Sequence, residues 1–357
     1  MRTPLIVVTG VDAEAMNSVM IGLAWDLPSA VVVKHRIDPE SQVLTRVVSH
    51  AGGVIEREET ELAHACVTCA LREDIVPTLE RLARDKRWSA IVACLPTGAE
   101  AAHLGNVLER DLRLARHLRM SCVVTSLARG DAIEDLLGED LLSDRGAHFN
   151  ADDGRGVGEV ACAMVEYADV VVLPDRPTEE ATDLVRALAR PDARVVTGAA
   201  NLGGRDLLDQ RHRHQRTLAW ASPFLAVDLP PLEASRAWRV ALSSPLPFHP
   251  ERLLDRIELL GTGRHRSRGC FWLPTRPGIA QEWDGSGGQL SIGELSDWGR
   301  RTPLTRLVLT GLGPTPTGLD DAFAELLVTP AESRDPGYWA VSYDGLEPWL
   351  GEIRRVA

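Results

Sequence analysis

Residues 4–27 read PLIVVTGVDAEAMNSVMIGLAWDL, and the architecture follows from them. Leu5-Ile6-Val7-Val8-Thr9 is apolar at successive positions, not alternate ones, which is the pattern of a strand covered on both faces. Gly10 ends the strand, and residues 13–27 then read as a helix with Met16, Met20 and Leu23 turned inward. Strand, glycine turn and helix open an α/β unit. The same alternation continues downstream. Strands are expected at 30–33, 44–48, 53–55, 90–95, 122–125, 169–173 and 194–197, with helices at 99–117, 132–137, 157–167 and 178–189. Buried strands alternating with helices imply a doubly wound, mostly parallel sheet.

This first domain is expected to span residues 1–205. A polar, Arg/His-bearing and then Pro-rich stretch, 206–234, reads as a linker. Strands at 238–243, 269–273 and 305–312, with helices at 250–260 and 319–327, predict a smaller α+β domain over 235–335. Residues 336–357 are left as a C-terminal extension.

With 357 residues, 44% apolar and 25% charged, the composition is that of an ordinary globular chain of two domains. A net charge of -12 argues against nucleic acid as a partner, because phosphate binding draws on a basic surface. No apolar run approaches the length that spans a bilayer and no cleavable leader is apparent, so a cytoplasmic protein away from the membrane is expected. Of the six cysteines, Cys94, Cys122, Cys162 and Cys270 are isolated in apolar segments and read as buried thiols.

Cys66 and Cys69 differ, lying in ELAHACVTCALREDIVPTLERL at residues 61–82. Leu71, Ile75, Leu79 and Leu82 follow at helical spacing, with Asp74 as the expected N-cap and Pro77 in the first turn. Thiols ahead of a helix N-terminus are biased toward thiolate, the form that binds metal and attacks electrophiles. A redox pair or inert packing are the other readings of Cys-x-x-Cys.

Several motifs occur in one order: Val8-Thr9-Gly10; the cysteine pair running into Leu71-Arg72-Glu73-Asp74; Thr97-Gly98; Ala168-Asp169-Val170-Val171-Val172-Leu173; Pro247-Phe248-His249-Pro250-Glu251-Arg252-Leu253; and Arg268 through Pro277. Together they resemble the CobW family of P-loop GTPases, which includes zinc metallochaperones. The resemblance implies a P-loop NTPase-like first domain and a CobW C-terminal domain. It also implies a phosphate-binding loop at residues 10–18, where a lysine would meet the phosphates and a hydroxyl the Mg²⁺ of GTP.

Here that loop departs from the family. Met16 stands at the lysine position, Ala13 and Ala15 replace glycines, and Asp12 and Glu14 place negative charge where a polyanion would sit. Gly10, Asn17 and Ser18 are the residues left to hold GTP/Mg²⁺. The guanine-reading motif expected after Leu173 is replaced by Pro174-Asp175-Arg176-Pro177. The family's Cys-x-Cys-Cys triplet has Thr68 at its middle position, and His35 stands where relatives carry a metal-binding glutamate.

The resemblance therefore implies Zn²⁺ bound by Cys66 and Cys69 with His35 or His64, carried for a client metalloprotein, with nucleotide binding lost. Two alternatives stay open: a GTPase metallochaperone working with an atypical loop, and a non-enzymatic partner of an active CobW paralogue. His212 and His214, among arginines, are expected to be solvated, and His249 to cap or pack at a helix start.

Overall fold

The computed structural model describes residues 2–128, 130–222, 229–232, 234–334 and 337–354. The chain divides into two compact units, Met1–Asp135 with Asp140–Ala221, and Leu136–Glu139 with Ser222–Ala357. No helix among the described residues is long and apolar enough to cross a membrane.

The first unit runs β1 (Thr3–Gly10), α1 (Ala13–Asp26), β2 (Val31–Asp38), β3 (Val43–His50), β4 (Gly53–Glu61), α2 (Val67–Ala70), a π-turn (Leu71–Ile75), α3 (Val76–Arg84) and β5 (Ile91–Cys94). It continues with α4 (Ala101–Arg110), α5 (Leu114–His117), β6 (Leu118–Ser126), α6 (Ala132–Leu137, whose last two residues count with the second unit), α7 (Val157–Tyr167), β7 (Val170–Leu173), α8 (Glu179–Leu188), β8 (Arg194–Thr197), α9 (Gly204–Asp209) and α10 (His214–Ala221). The sheet order is β4-β3-β2-β5-β1-β6-β7-β8. Strands β2 through β8 of that order are parallel, and β3 and β4 extend one edge as an antiparallel hairpin.

The unbroken apolar run in β1 has a direct cause. Leu5 and Val7 enter one core with Val31, Val33 and Ile91, while Ile6 and Val8 enter the opposite core with Val32, Val92 and Met16. Alternate side chains of a strand face opposite ways, so a central strand with helices on both sides has no polar face. Burying each of these four side chains contributes about 2 kcal/mol.

Two expectations for this unit change. The single helix at 99–117 is interrupted at Asp111, whose Oδ1 accepts from the amides of Arg113 at 2.8 Å and Leu114 at 3.2 Å and so starts α5 afresh. The stretch read as a linker from 206 carries α9 and α10, and the unit closes at Ala221, beyond residue 205. Leu207 and Trp220 are buried there, and Trp220 Nε1 donates to the Leu188 carbonyl at 2.9 Å. These apolar anchors are too sparse in a polar segment to read as helices. Residues 223–228 and 233 of that stretch lie outside the described residues.

The second unit holds β9 (Ala237–Ser244), α11 (Pro250–Arg256), α12 (Glu258–Gly261), β10 (His265–Phe271), β11 (Ile279–Ser286), β12 (Gln289–Asp297), β13 (Thr305–Leu312), α13 (Leu319–Leu326) and α14 (Glu347–Leu350). Its sheet, ordered β12-β11-β10-β13-β9, is antiparallel throughout. Phe248, Phe271, Trp283 and Phe323 centre its core, which Leu346 and Leu350 of the expected C-terminal extension join. Arg276 fixes that segment: Nη2 and Nε meet the Asp344 carboxylate at 3.0 Å, and Nη1 reaches the carbonyls of Leu350 and Gly351. His249 starts α11 without a side-chain cap and packs edge-on against Trp339, with ring centroids 5.2 Å apart.

Candidate metal and nucleotide site

Beyond the C-terminal ends of β1 and β5 lies a crevice of about 460 Å³, lined by Asp12, Glu14, Asn17, Lys34, His35 and Arg145 among others. This is where open parallel sheets place ligands. Gly10 is required at the rim, because a Cβ there would lie 2.5 Å from the Ser126 carbonyl oxygen. Only Val11 and Asp12 separate β1 from α1. Asp12 caps the helix, its Oδ1 accepting from the Ala15 amide at 2.7 Å. A carboxylate therefore takes the amide that a phosphate would use and adds its own negative charge.

The other loop residues are also engaged. Met16, 2% exposed, packs into the core and gives the crevice floor an apolar thioether where a cation would be needed. Ser18 Oγ donates to the Glu14 carbonyl at 3.0 Å, and Asn17 Oδ1 accepts from Lys34 Nζ at 2.7 Å. Lys34, one of the crevice cations, comes from β2. Reading the loop by itself does not find it, since its contribution depends on which strand lies beside β1's helix.

The cysteine segment is built differently from its sequence expectation. Helix begins at Val67, with Cys66 as N-cap in extended conformation and its Sγ accepting from the Cys69 amide at 3.4 Å. The π-turn then joins α2 to α3, with the Val76 amide bonding to Leu71 O, and Pro77 sits in the first turn of α3. Asp74 is thus not a cap. It is buried, its Oδ1 3.0 Å from His35 Nε2 and its Oδ2 bonded to Arg46 Nη1. Arg46 also reaches Thr78 at 2.9 Å, Glu56 and Glu58.

Cys66 is half-buried and Cys69 buried, both as free thiols. Burial opposes ionisation of Cys66, but the Cys69 amide and the His64 and Cys69 side chains outweigh it and hold the thiol below its ordinary value. Cys69 is pushed up by burial and by its hydrogen bond to Cys66, partly offset by Arg72, whose Nη2 lies 3.7 Å from Cys69 Sγ. Of the two thiols, Cys66 is therefore the one that loses its proton more readily.

Of the four expected ligands, Cys66 and Cys69 lie together at the start of α2 and the His64 side chain reaches the Cys66 thiol. His35 instead binds Asp74 and leaves its Nδ1 buried without a partner. Among the described residues no group of three or more His, Cys, Asp and Glu side chains is arranged to hold a metal ion.

Burial, outweighing the Asp74 carboxylate, lowers the His35 pKa. The unfolded chain then takes up this proton first, so the stability His35 contributes is complete above about pH 6.5 and declines as pH falls below it. Urea denaturation is expected to show a lower midpoint at pH 5.5 than at pH 7.5, with a smaller difference in His35→Gln. An unchanged difference would refute the assignment.

Comparison with known proteins bears on the whole chain. Residues 238–327 match the cobalamin synthesis protein CobW C-terminal domain. The protein named zinc chaperone Rv0106 from Mycobacterium tuberculosis is 29% identical over 391 residues, covering 98% of this chain and 94% of its own. Zinc-regulated GTPase metalloprotein activator 1 of Dictyostelium discoideum is 21% identical across 67% of this chain and 54% of its own. The Zn(II)-bound YjiA GTPase from E. coli overlays 92% of this chain and 100% of its own with a TM-score of 0.36 and 16% identity. The chain is thus similar over nearly its full length to a protein named a zinc chaperone, and residues 238–327 match the CobW C-terminal domain.

Proposed function

We propose that the chain is a zinc carrier that holds Zn²⁺ as cargo on Cys66 and Cys69, assisted by His64, and passes it to a client metalloprotein without a GTP switch of its own. The observation that carries this reading is the sulfur pair at the start of α2, with Cys66 half-exposed and biased toward thiolate. Zinc prefers four donors in tetrahedral array. Two sulfurs and one imidazole leave a position for water or for a donor from the client, which suits release better than a closed structural site does. The relative named a zinc chaperone, aligned over nearly the full length, supports the cargo.

Asp12 capping α1 and Met16 at the position of the phosphate-binding lysine support the absence of a switch in this reading. The second reading, GTP bound by an atypical loop, is favoured by the size of the crevice and by Lys34 at its edge. Calorimetric titration separates the two. One equivalent of Zn²⁺ is expected to bind, and GTP with Mg²⁺ is expected not to bind at millimolar concentration. Micromolar GTP binding would support the second reading instead.

A further inference from the structure

We propose that the first unit carries a separate binding site for a small oxyanion-bearing molecule, in a cavity away from the cysteines and from the α1 crevice. The cavity measures about 500 Å³ and is lined by Arg2, Arg119, Arg211 and Arg213, with Leu118 and Met120 as an apolar wall. That volume suits a small organic ligand.

The charge arrangement calls for a ligand. In a chain of net charge -12, four arginines surround one cavity, and the side chains of Arg2, Arg211 and Arg213 have no ion-pair partner among the described residues. Arg119 donates to the backbone carbonyls of Leu208 at 2.9 Å and Gln210 at 2.5 Å, neutral acceptors that fix the guanidinium without cancelling its charge. Glu109 is the one carboxylate among the described lining residues, and it is engaged by His214 Nε2 at 3.3 Å and by Gln215. Like charges gathered without counter-charge repel one another, and an anion relieves that repulsion.

A buried network holds two of these arginines outward. Asp169 Oδ2 lies 2.7 Å from His212 Nδ1, His212 Nε2 lies 3.1 Å from Tyr167 Oη, Tyr167 Oη lies 2.5 Å from His214 Nδ1, and His214 Nε2 lies 3.1 Å from Asn106 Oδ1. With His212 drawn in, its neighbours Arg211 and Arg213 are left exposed. Gly105 makes room for the network, since a Cβ there would lie 2.1 Å from Tyr167 Oη and 2.7 Å from His214 Nδ1. The network is satisfied within the protein; the arginines in front of it are not.

Guanidinium forks match phosphate and carboxylate oxygens in paired hydrogen bonds. The ligand class is therefore a phosphorylated or carboxylated small molecule, its charged group on the arginines and its carbon skeleton against Leu118 and Met120. Pyrophosphate and citrate serve as probes of the two chemistries, titrated calorimetrically into the full chain and into the Arg211→Gln/Arg213→Gln variant. Both substituted residues are exposed, and circular dichroism checks that the variant is folded. At least one probe is expected to bind the native chain, to bind at least about tenfold more weakly to the variant, and to weaken with added salt. The stronger probe identifies the ligand's charged group. Equal affinity for both proteins, or no binding of either probe at millimolar concentration, overturns the proposal.

Discussion

Zinc affinity is expected to fall by at least about a thousandfold when Cys66 and Cys69 are both replaced by serine. Thiolate supplies negative charge and soft donor electrons, and a serine hydroxyl at neutral pH supplies neither. The fold should survive, because serine nearly matches cysteine in size and only Cys69 is fully buried. Cys66→Ser alone should account for a large part of the loss, since Cys66 is the more exposed thiol and the more readily deprotonated. Competition against a chelating indicator measures it. Affinities within tenfold of the native chain would show that zinc binds elsewhere.

The second large effect is on stability. Replacing Asp74 with alanine leaves the guanidinium of Arg46, 6% exposed, without its buried carboxylate and leaves His35 without a hydrogen-bond partner. Removing one member of a buried ion pair costs about 3 to 5 kcal/mol, and the retained contacts of Arg46 with Glu56 and Glu58 keep this case near about 3 kcal/mol. Burial opposes ionisation of Asp74, but His35 and Arg46 reverse that and hold its carboxyl below the usual range. Its contribution is thus present at neutral pH and is lost only as pH falls through the folded-state value. Urea unfolding of Asp74→Ala at neutral pH tests this, and a change under about 1 kcal/mol would mean that the network adds little.

What could be read from the sequence followed local periodicity. The β1 run, the helix after it, β8 at Arg194–Thr197, α7 at Val157–Tyr167 and β13 at Thr305–Leu312 lie where their patterns predict. Strands β11 and β12 were not anticipated. Their residues are largely polar, and the usable signal was Gly287-Gly288, whose φ angles of 62° and 83° form the two-residue turn pairing Ser286 with Gln289.

At the candidate site, only contacts local in sequence were legible. Cys66 and Cys69 are hydrogen-bonded neighbours at the start of α2, and His64 reaches the Cys66 thiol. His35 was assigned from family position, but the π-turn brings Asp74 to it. A wide turn that shifts helical phase leaves no periodic mark. His212 and His214 were expected in solvent because arginines flank them, yet Tyr167 and Asp169, more than forty residues earlier, draw them inward.

The central claim is that the two sulfurs at the start of α2 hold a metal ion together. Titrating the native chain with Co²⁺ in place of Zn²⁺ tests it most directly, because thiolate ligation gives sulfur-to-cobalt charge-transfer absorption that oxygen and nitrogen ligands do not. The account predicts that this absorption grows to saturation at one equivalent, with an intensity appropriate to two thiolates, and disappears on adding Zn²⁺. Cobalt binding without charge-transfer absorption, or no cobalt binding at all, would contradict it.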